Sequence, residues 1–394
     1  RVIKEGDGYG KVLLKKEKKV VVDYSAPNIA KRFTIGHLRS TIIGQSICNI
    51  YEFLGWKVIG DNHWGDWGTQ FGKMIVAIKK WAKKSVEELT IEEMEELYVR
   101  FHKEAEIDES LNDLARLAFK SLEEGEKEEK DLWKKLVDMS IVEFDKIYKI
   151  LDVKIDNAFG ESFYEKIMLD VISEAKKAGL VKKSQGAWVF PFPKDILPPA
   201  ILVKSDGATN YFTRDLATIK FRKEEWDPDL VIYEVGAEQS LHFKQVFLAS
   251  ELLGWIDRKK LVHIPHGLIR SKEGKMSSRK GNVVRLEEVL KRAVEKAGEF
   301  NKDLEVAKMV GIGAIKYNDL KHSPKTGYIF SWDEILSLEG NSGPYLQYAY
   351  ARCKSVLSKG KKNDEKNKVD YQINDLKKEE LSVLRWLYRF PEIV

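Results

Sequence analysis

Three valines in a row, Val20-Val21-Val22, run through Asp23 and Tyr24 into a polar loop from Ser25 to Thr34. Apolar residues then recur at helical spacing from Leu38 to Leu54, Gly55 stops that helix, and Lys57 to Gly60 regains strand character. Strand, crossover helix and strand in so short a stretch make a βαβ unit. Its two strands must run parallel, because the helix carries the chain back to the edge from which it started. Further strand patterns occupy Ala187 to Phe192, Ile201 to Lys204, Leu230 to Val235 and Leu261 to Ile264, with helices beginning after Tyr211 and at Ser240. The alternation predicts the α/β class, with a Rossmann-type, doubly wound parallel sheet.

Two regions depart from it. From about Ser85 to Ile150 the pattern is helical and heavily charged. Between 86 and 110, ten acids stand against Arg100 and Lys103 alone. This reads as a solvated helical insertion with no catalytic duty and no nucleic-acid contact. After Gly281 only helical patterns remain: 341–358 is an amphipathic helix, and 359–376 a polar, Lys-rich linker. The chain opens without Met and stops at Val394 shortly after a new helix begins, so both ends read as cut from something longer.

Composition narrows the functional classes. The 394 residues, 43% hydrophobic, supply cores for two or three domains. Lys+Arg 67 against Asp+Glu 62 leaves +5, which excludes a histone-like tail and a polyanionic disordered chain. Two cysteines, Cys48 and Cys353, support neither a disulfide scaffold nor a Cys-based zinc site. No apolar run approaches the roughly 18 residues of a spanning helix, and the N-terminus is not signal-like. A soluble cytoplasmic protein without membrane contact is expected. Abundant Lys and Glu with few Gln and Cys match thermophile usage.

Chemistry concentrates in two stretches. In the first, Lys31-Arg32-Phe33-Thr34-Ile35-Gly36-His37, a strand feeds a loop that opens a helix. The free N–H groups and positive dipole of a helix start receive anions. Gly36 lets a ligand approach the backbone, His37 offers a donor to phosphate oxygens, and Lys31 adds a mobile charge. A lone T-x-G-H is weak evidence, since a His at a helix start is often just a cap. The second stretch, Gly274-Lys275-Met276-Ser277-Ser278-Arg279-Lys280-Gly281, brackets cations and hydroxyls between glycines. It could close over a polyphosphate, or be no more than a solvated basic turn. The pair His263 and His266 is not read as a metal site, since residues three apart on a strand face opposite ways.

Together the two stretches resemble the H-I-G-H and K-M-S-K-S signatures of class I aminoacyl-tRNA synthetases. Asn28-Ile29-Ala30-Lys31, Gly65-Asp66-Trp67-Gly68-Thr69-Gln70, Lys204-Ser205-Asp206-Gly207-Ala208, Tyr211-Phe212-Thr213-Arg214-Asp215 and Ser342-Gly343-Pro344-Tyr345-Leu346-Gln347-Tyr348-Ala349 resemble the arginyl-tRNA synthetases, in their archaeal, thermophile-like form. The resemblance implies a ligase that activates L-arginine with ATP and transfers it to the 2′-hydroxyl of the terminal adenosine of tRNA(Arg), as a monomer, with Mg2+ accompanying ATP and no protein metal site. Asp215 and Glu161 match positions that hold the guanidinium, Tyr211 one that walls the aliphatic stem, and Asn28 and Gln239 ones that bind the amino-acid backbone. Thr34, His37, Lys31, Lys275, Ser277 and Arg279 would serve catalysis. Gly36, His37, Gly236, Glu238, His242, Ile269, Lys275 and Met276 would bind ATP.

The sequence departs from the family signatures twice. Thr34 replaces the first His of H-I-G-H, and slower activation is the expected consequence. Ser278 replaces the second Lys of K-M-S-K-S, with Arg279, Lys280 or Lys31 as compensating charges. The implied domains are 1–15, the tail of an N-terminal module; 16–285, the catalytic domain, with its helical insertion at about 83–195; 286–335, a helical connector; and 336–394, the start of an anticodon-binding all-α bundle. Seven bases between Arg352 and Lys368 suit phosphate contacts there. Rival readings are another class I synthetase, a simpler adenylyltransferase, and a non-catalytic RNA-binding paralogue.

Overall fold

The computed structural model describes residues 2–12, 14–193, 196–270, 285–361 and 376–394. Its centre is a five-stranded, all-parallel sheet in the spatial order Asn157–Ala158, Lys57–Asn62, Lys19–Asp23, Leu230–Gly236, Leu261–His266. Val21 pairs with Ile59 on one side and Val231 on the other, and Val20 to Val22 are wholly buried. An unbroken valine run suits that place, since a central parallel strand is covered on both faces. From this strand the chain moves first to one side and later returns on the other. The crevice beyond the strands' C-terminal ends is therefore a topological switch point.

Three features differ from the sequence reading. The edge strand Asn157–Ala158 is two residues long, too short for any periodicity to announce. Ala187–Phe190 and Ala200–Val203 stay out of the central sheet and join Lys182–Ser184 in a separate antiparallel one. The tight turn at Gln185-Gly186 makes a hairpin, which a parallel sheet cannot use. Past Gly281 the chain is not solely helical: Tyr328–Ile329 pairs in parallel with Ile269–Arg270.

The charged region folds into helices Ile91–Ile107, Ser110–Glu123 and Lys127–Leu151. Their apolar faces, through Met94, Phe101, Leu111, Phe119, Leu136 and Phe144, bury against Phe71, Met74 and Ile75 of helix Thr69–Trp81. Helices Leu286–Phe300, Leu304–Leu320, Gly343–Lys361 and Lys378–Tyr388 follow. Most of the expected linker, residues 362–375, lies outside the described residues.

Two buried arginines lock these parts together. Arg222, on helix Tyr211–Trp226, donates through Nη2 to Asp23 Oδ2 at 2.7 Å and to Asp61 Oδ2 at 2.6 Å, and through Nε to the same Asp61 oxygen at 2.9 Å. Burial pushes the Asp61 carboxyl up while the Arg222 charge opposes it. Arg39, on helix Ile35–Phe53, donates through Nε to Asp319 Oδ1 at 2.9 Å and through Nη1 to the Thr326 and Gly267 carbonyls at 2.7 and 3.0 Å. Removing one partner strands the others as bare buried charge, at a cost of roughly 3–5 kcal/mol. Arg222→Ala should lower the unfolding free energy by about that much in urea titration. A loss near the about 1 kcal/mol of an exposed ion pair would show that the cluster does not hold the sheet together.

Candidate active site

The loop leaving the central strand is strained. Ser25, Ala26 and Ala30 take φ of +73°, +44° and +59°, a region side chains rarely enter without compensation. The compensation is visible in hydrogen bonds. Ser25 N–H donates to Ser40 Oγ at 2.9 Å, Ala26 N–H to Asn62 Oδ1 at 2.9 Å, and Ala30 N–H to Ser140 Oγ at 2.8 Å. The exposed Asn28 forms a parallel bridge with Gly65. A Cβ on Gly65 would sit 2.3 Å from Asn28 Oδ1, so a side chain there would displace the Asn28 amide.

The loop delivers the chain to helix Ile35–Phe53, with Thr34 as its N-cap and Gly36 exposed in the first turn. Thr34 N–H donates to His37 Nδ1 at 3.0 Å, and Thr34 Oγ1 lies 3.1 Å from the same nitrogen. Burial first, then the Lys31 charge, pushes the His37 imidazole down to about 4. The ring is thus neutral near pH 7. Because Nδ1 accepts, the proton sits on Nε2, which is free to donate to an anion at the helix start.

Across the crevice, the segment carrying Glu161 is held by the Gly65 to Gly68 loop. Glu161 N–H donates to the Trp64 carbonyl at 3.0 Å. Ser162 donates from its N–H and hydroxyl to Asp66 at 2.9 and 2.6 Å. A Cβ on Gly160 would fall 2.1 Å from Asp66 Oδ2, so a side chain there would displace that carboxylate. Glu161 is 9% exposed, and burial pushes its carboxyl up to about 7, with Arg214 and His63 opposing and Asp215 and Asp66 assisting. Arg214 Nη1 lies 3.3 Å from Glu161 Oε2.

Asp215 Oδ2 pairs with His242 Nε2, which ties helix Tyr211–Trp226 to helix Ser240–Leu252. Tyr211 starts the former, largely exposed, with its ring 5.5 Å from the Arg214 guanidinium carbon. Glu238 and Gln239 are exposed in the turn after strand Leu230–Gly236, and Gly236 is buried at its end. Ile269 is buried in the short ladder with Tyr328. His263 and His266 take separate partners, the Val235 carbonyl at 3.0 Å and Glu234 Oε1 at 2.9 Å.

Lys275, Met276, Ser277, Ser278, Arg279 and Lys280 lie outside the described residues. Arg285, the next described residue, forms an antiparallel bridge with Thr34, and Leu286 N–H donates to the Phe33 carbonyl at 3.0 Å. The C-terminal flank of the second signature is thereby joined to the first.

The sequence reading missed the insertion's part in the site. Arg32 N–H and Nε donate to Glu95 at 2.7 and 2.8 Å, and its Nη1 to Glu92 at 2.7 Å. Lys31 Nζ lies 5.2 Å from the Tyr98 ring centre. The acidic run is not all solvated face: Glu92, Glu95 and Tyr98, at positions three apart, line one side of their helix, and that spacing was the available signal. Arg214 was visible only as a letter inside a motif.

Comparison with known proteins gives two family matches: the catalytic domain of class I tRNA synthetases (R) over residues 2–332, and the DALR anticodon binding domain over 346–394. An arginine–tRNA ligase of Fusobacterium nucleatum is 45% identical over 400 residues, 98% of this chain and 70% of that protein. One from Halothermothrix orenii is 44% identical over 402 residues, 100% of this chain and 71% of that protein. Among solved structures, the arginyl-tRNA synthetase of Plasmodium falciparum superposes with a TM-score of 0.79 at 29% identity, covering 96% of this chain and 65% of that one. The two curated relatives are bacterial and lend no support to an archaeal likeness.

If His37 is held neutral as described, its ring resonances in an NMR titration should stay unchanged from pH 8 down to about 5. Its protonation should begin only nearer pH 4, while folding weakens as pH falls from about 6.5 to about 4, the span in which the unfolded ring is protonated and the folded one is not. A midpoint at 6 or above would contradict the assigned tautomer.

Proposed function

The chain belongs to the class I arginyl-tRNA synthetases, and on that premise we propose that the crevice between Thr34 and Asp215 is where it activates arginine. The arginine carboxylate attacks the α-phosphate of ATP, giving arginyl-adenylate and pyrophosphate, and the 2′-hydroxyl of the terminal adenosine of tRNA(Arg) then accepts the arginyl group. Catalysis of this kind is positioning and charge stabilisation. Thr34 and the Nε2–H of His37 are assigned to the phosphates. Lys31, Lys275, Ser277 and Arg279 are assigned to the leaving pyrophosphate. Gly36, Gly236, Glu238, His242, Ile269 and Met276 are assigned to the nucleotide. Glu161 and Asp215 take the guanidinium, Tyr211 the stem, Asn28 and Gln239 the α-amino and carboxylate groups.

One observation supports the pocket above the others: Glu161, buried beside Asp66 and Asp215, already bears a guanidinium, that of Arg214. Among the described residues no group of three or more His, Cys, Asp or Glu could hold a metal ion. Mg2+ is proposed to arrive with ATP, on its phosphates. No helix among the described residues is long and apolar enough to cross a membrane. A cytoplasmic monomer is proposed, with the domain partition at 16–285, 286–335 and 336–394. Exposed Arg352, Lys354 and Lys359 on helix Gly343–Lys361 are proposed to meet tRNA phosphates.

The test is ATP–pyrophosphate exchange with and without tRNA(Arg). Exchange is expected with arginine and not lysine, since lysine leaves the Glu161 and Asp215 carboxylates without a forked partner, and it is expected to need tRNA. Asp215→Ala should lose arginine selectivity far more than ATP affinity; equal losses would count against the pocket. With the Glu161 carboxyl pushed up to about 7, the KM for arginine should fall as pH rises from about 6 to about 8, and Glu161→Gln should abolish that slope.

A further inference from the structure

We infer that Arg214 is a positioning residue of the arginine site, its guanidinium holding the buried Glu161 carboxylate ionised and aimed for the substrate's guanidinium. The inference rests on the pocket reading above and adds to it a residue with no assigned role. The two side chains are 12% and 11% exposed, with Nη1 and Oε2 3.3 Å apart. In so dry a place an ion pair survives only if each charge needs the other.

The charges facing Glu161 can all be named. Asp66 and Asp215 oppose its ionisation; Arg214 and His63 favour it. Asp66 is engaged by Ser162 and Asp215 by His242. Glu123 and Glu165 stand within the field of Arg214 as well. Arg214 is the fixed cation of this acidic set, while His63 is charged only when protonated. Without Arg214, burial and two like charges would drive Glu161 to the neutral acid. A protonated carboxyl loses its charge and turns one of its two oxygens into a donor that a guanidinium cannot use, so arginine would keep only one ionised carboxylate.

Arg214 is also set for this duty rather than for its own bonding. Its Nε is buried without a hydrogen-bond partner, and its guanidinium carbon lies 5.5 Å from the Tyr211 ring. Tyr211 and Glu161 thus hold it from two directions. The substrate guanidinium would enter on the free side of the same carboxylate, which has oxygens and lone pairs for two forked partners.

Arginine binding to the full chain should be followed by isothermal titration calorimetry at about pH 6.5, 7.5 and 8.5, with thermal melts of each variant. Arg214→Met is expected to raise the Kd for arginine about tenfold at pH 6.5 for each unit by which Glu161 shifts. The deficit should shrink toward pH 8.5, and ATP binding should stay near that of the unaltered chain. Arg214→Lys should recover most of the loss. An unchanged Kd at every pH would overturn the inference. So would tighter binding, which would make Arg214 a competitor that arginine displaces, or a pH-independent loss that Lys does not rescue, which would mark packing alone. Glu161→Gln separates the two levels. If it leaves arginine binding and its pH slope untouched, the pocket reading fails; if it weakens binding while Arg214→Met is silent, only the present inference fails.

Discussion

Arg222 decides where the site can be. Its guanidinium, wholly buried, grips Asp23 at the end of the central strand and Asp61 near the end of its neighbour. The loops that follow those two strands carry Asn28 and Lys31 on one side and Gly65 and Asp66 on the other. The helix that carries Arg222 begins at Tyr211 and contains Arg214 and Asp215. One cation therefore sets two loops and one helix in a common frame. A buried cluster of this kind adds little net stability compared with an apolar core, yet it tolerates few alternative geometries. That suits a crevice in which groups from distant parts of the chain must agree to within a fraction of an ångström.

Above this frame the structure accepts strain. Three non-glycine residues of the first loop sit at positive φ, held by Ser40, Asn62 and Ser140. Both carboxylates of the proposed arginine pocket, Glu161 and Asp215, already have partners in the chain itself, Arg214 and His242. A substrate cation entering such a pocket meets acceptors that are oriented before it arrives, so less ordering is left to binding. The neutral His37 follows the same logic at the end proposed for the phosphates: its proton is fixed on one nitrogen by the backbone bond to the other.

The helical insertion has a larger part than its charge run implied. Its apolar faces complete the main core, while Glu92, Glu95 and Tyr98 reach the loop residues Arg32 and Lys31. Glu95 also lies 3.8 Å from Arg285, whose backbone bridges Thr34. Most of the acidic run is solvated, as its composition implies. The minority that meets the loop could be told apart only by what lay opposite.

Local pattern was enough for the sheet's parallel core, because an unbroken valine run followed by a helix and a second strand has few other ways to bury itself. It was enough, too, for the family, since motifs such as Asn28 to Lys31 and Tyr211 to Asp215 are contiguous in the chain. The two-residue edge strand at Asn157, the hairpin at Gln185-Gly186 and the ladder at Tyr328 escaped, being too short for periodicity or fixed by partners far along the chain. So did the pairings Arg222 with Asp23 and Asp61, Arg39 with Asp319, Arg214 with Glu161, and His242 with Asp215. The sequence by itself determined which groups are present and which local elements carry them. Only the tertiary structure decided which charges share a desolvated space, and Coulomb and desolvation energies depend on that distance and burial, not on separation along the chain.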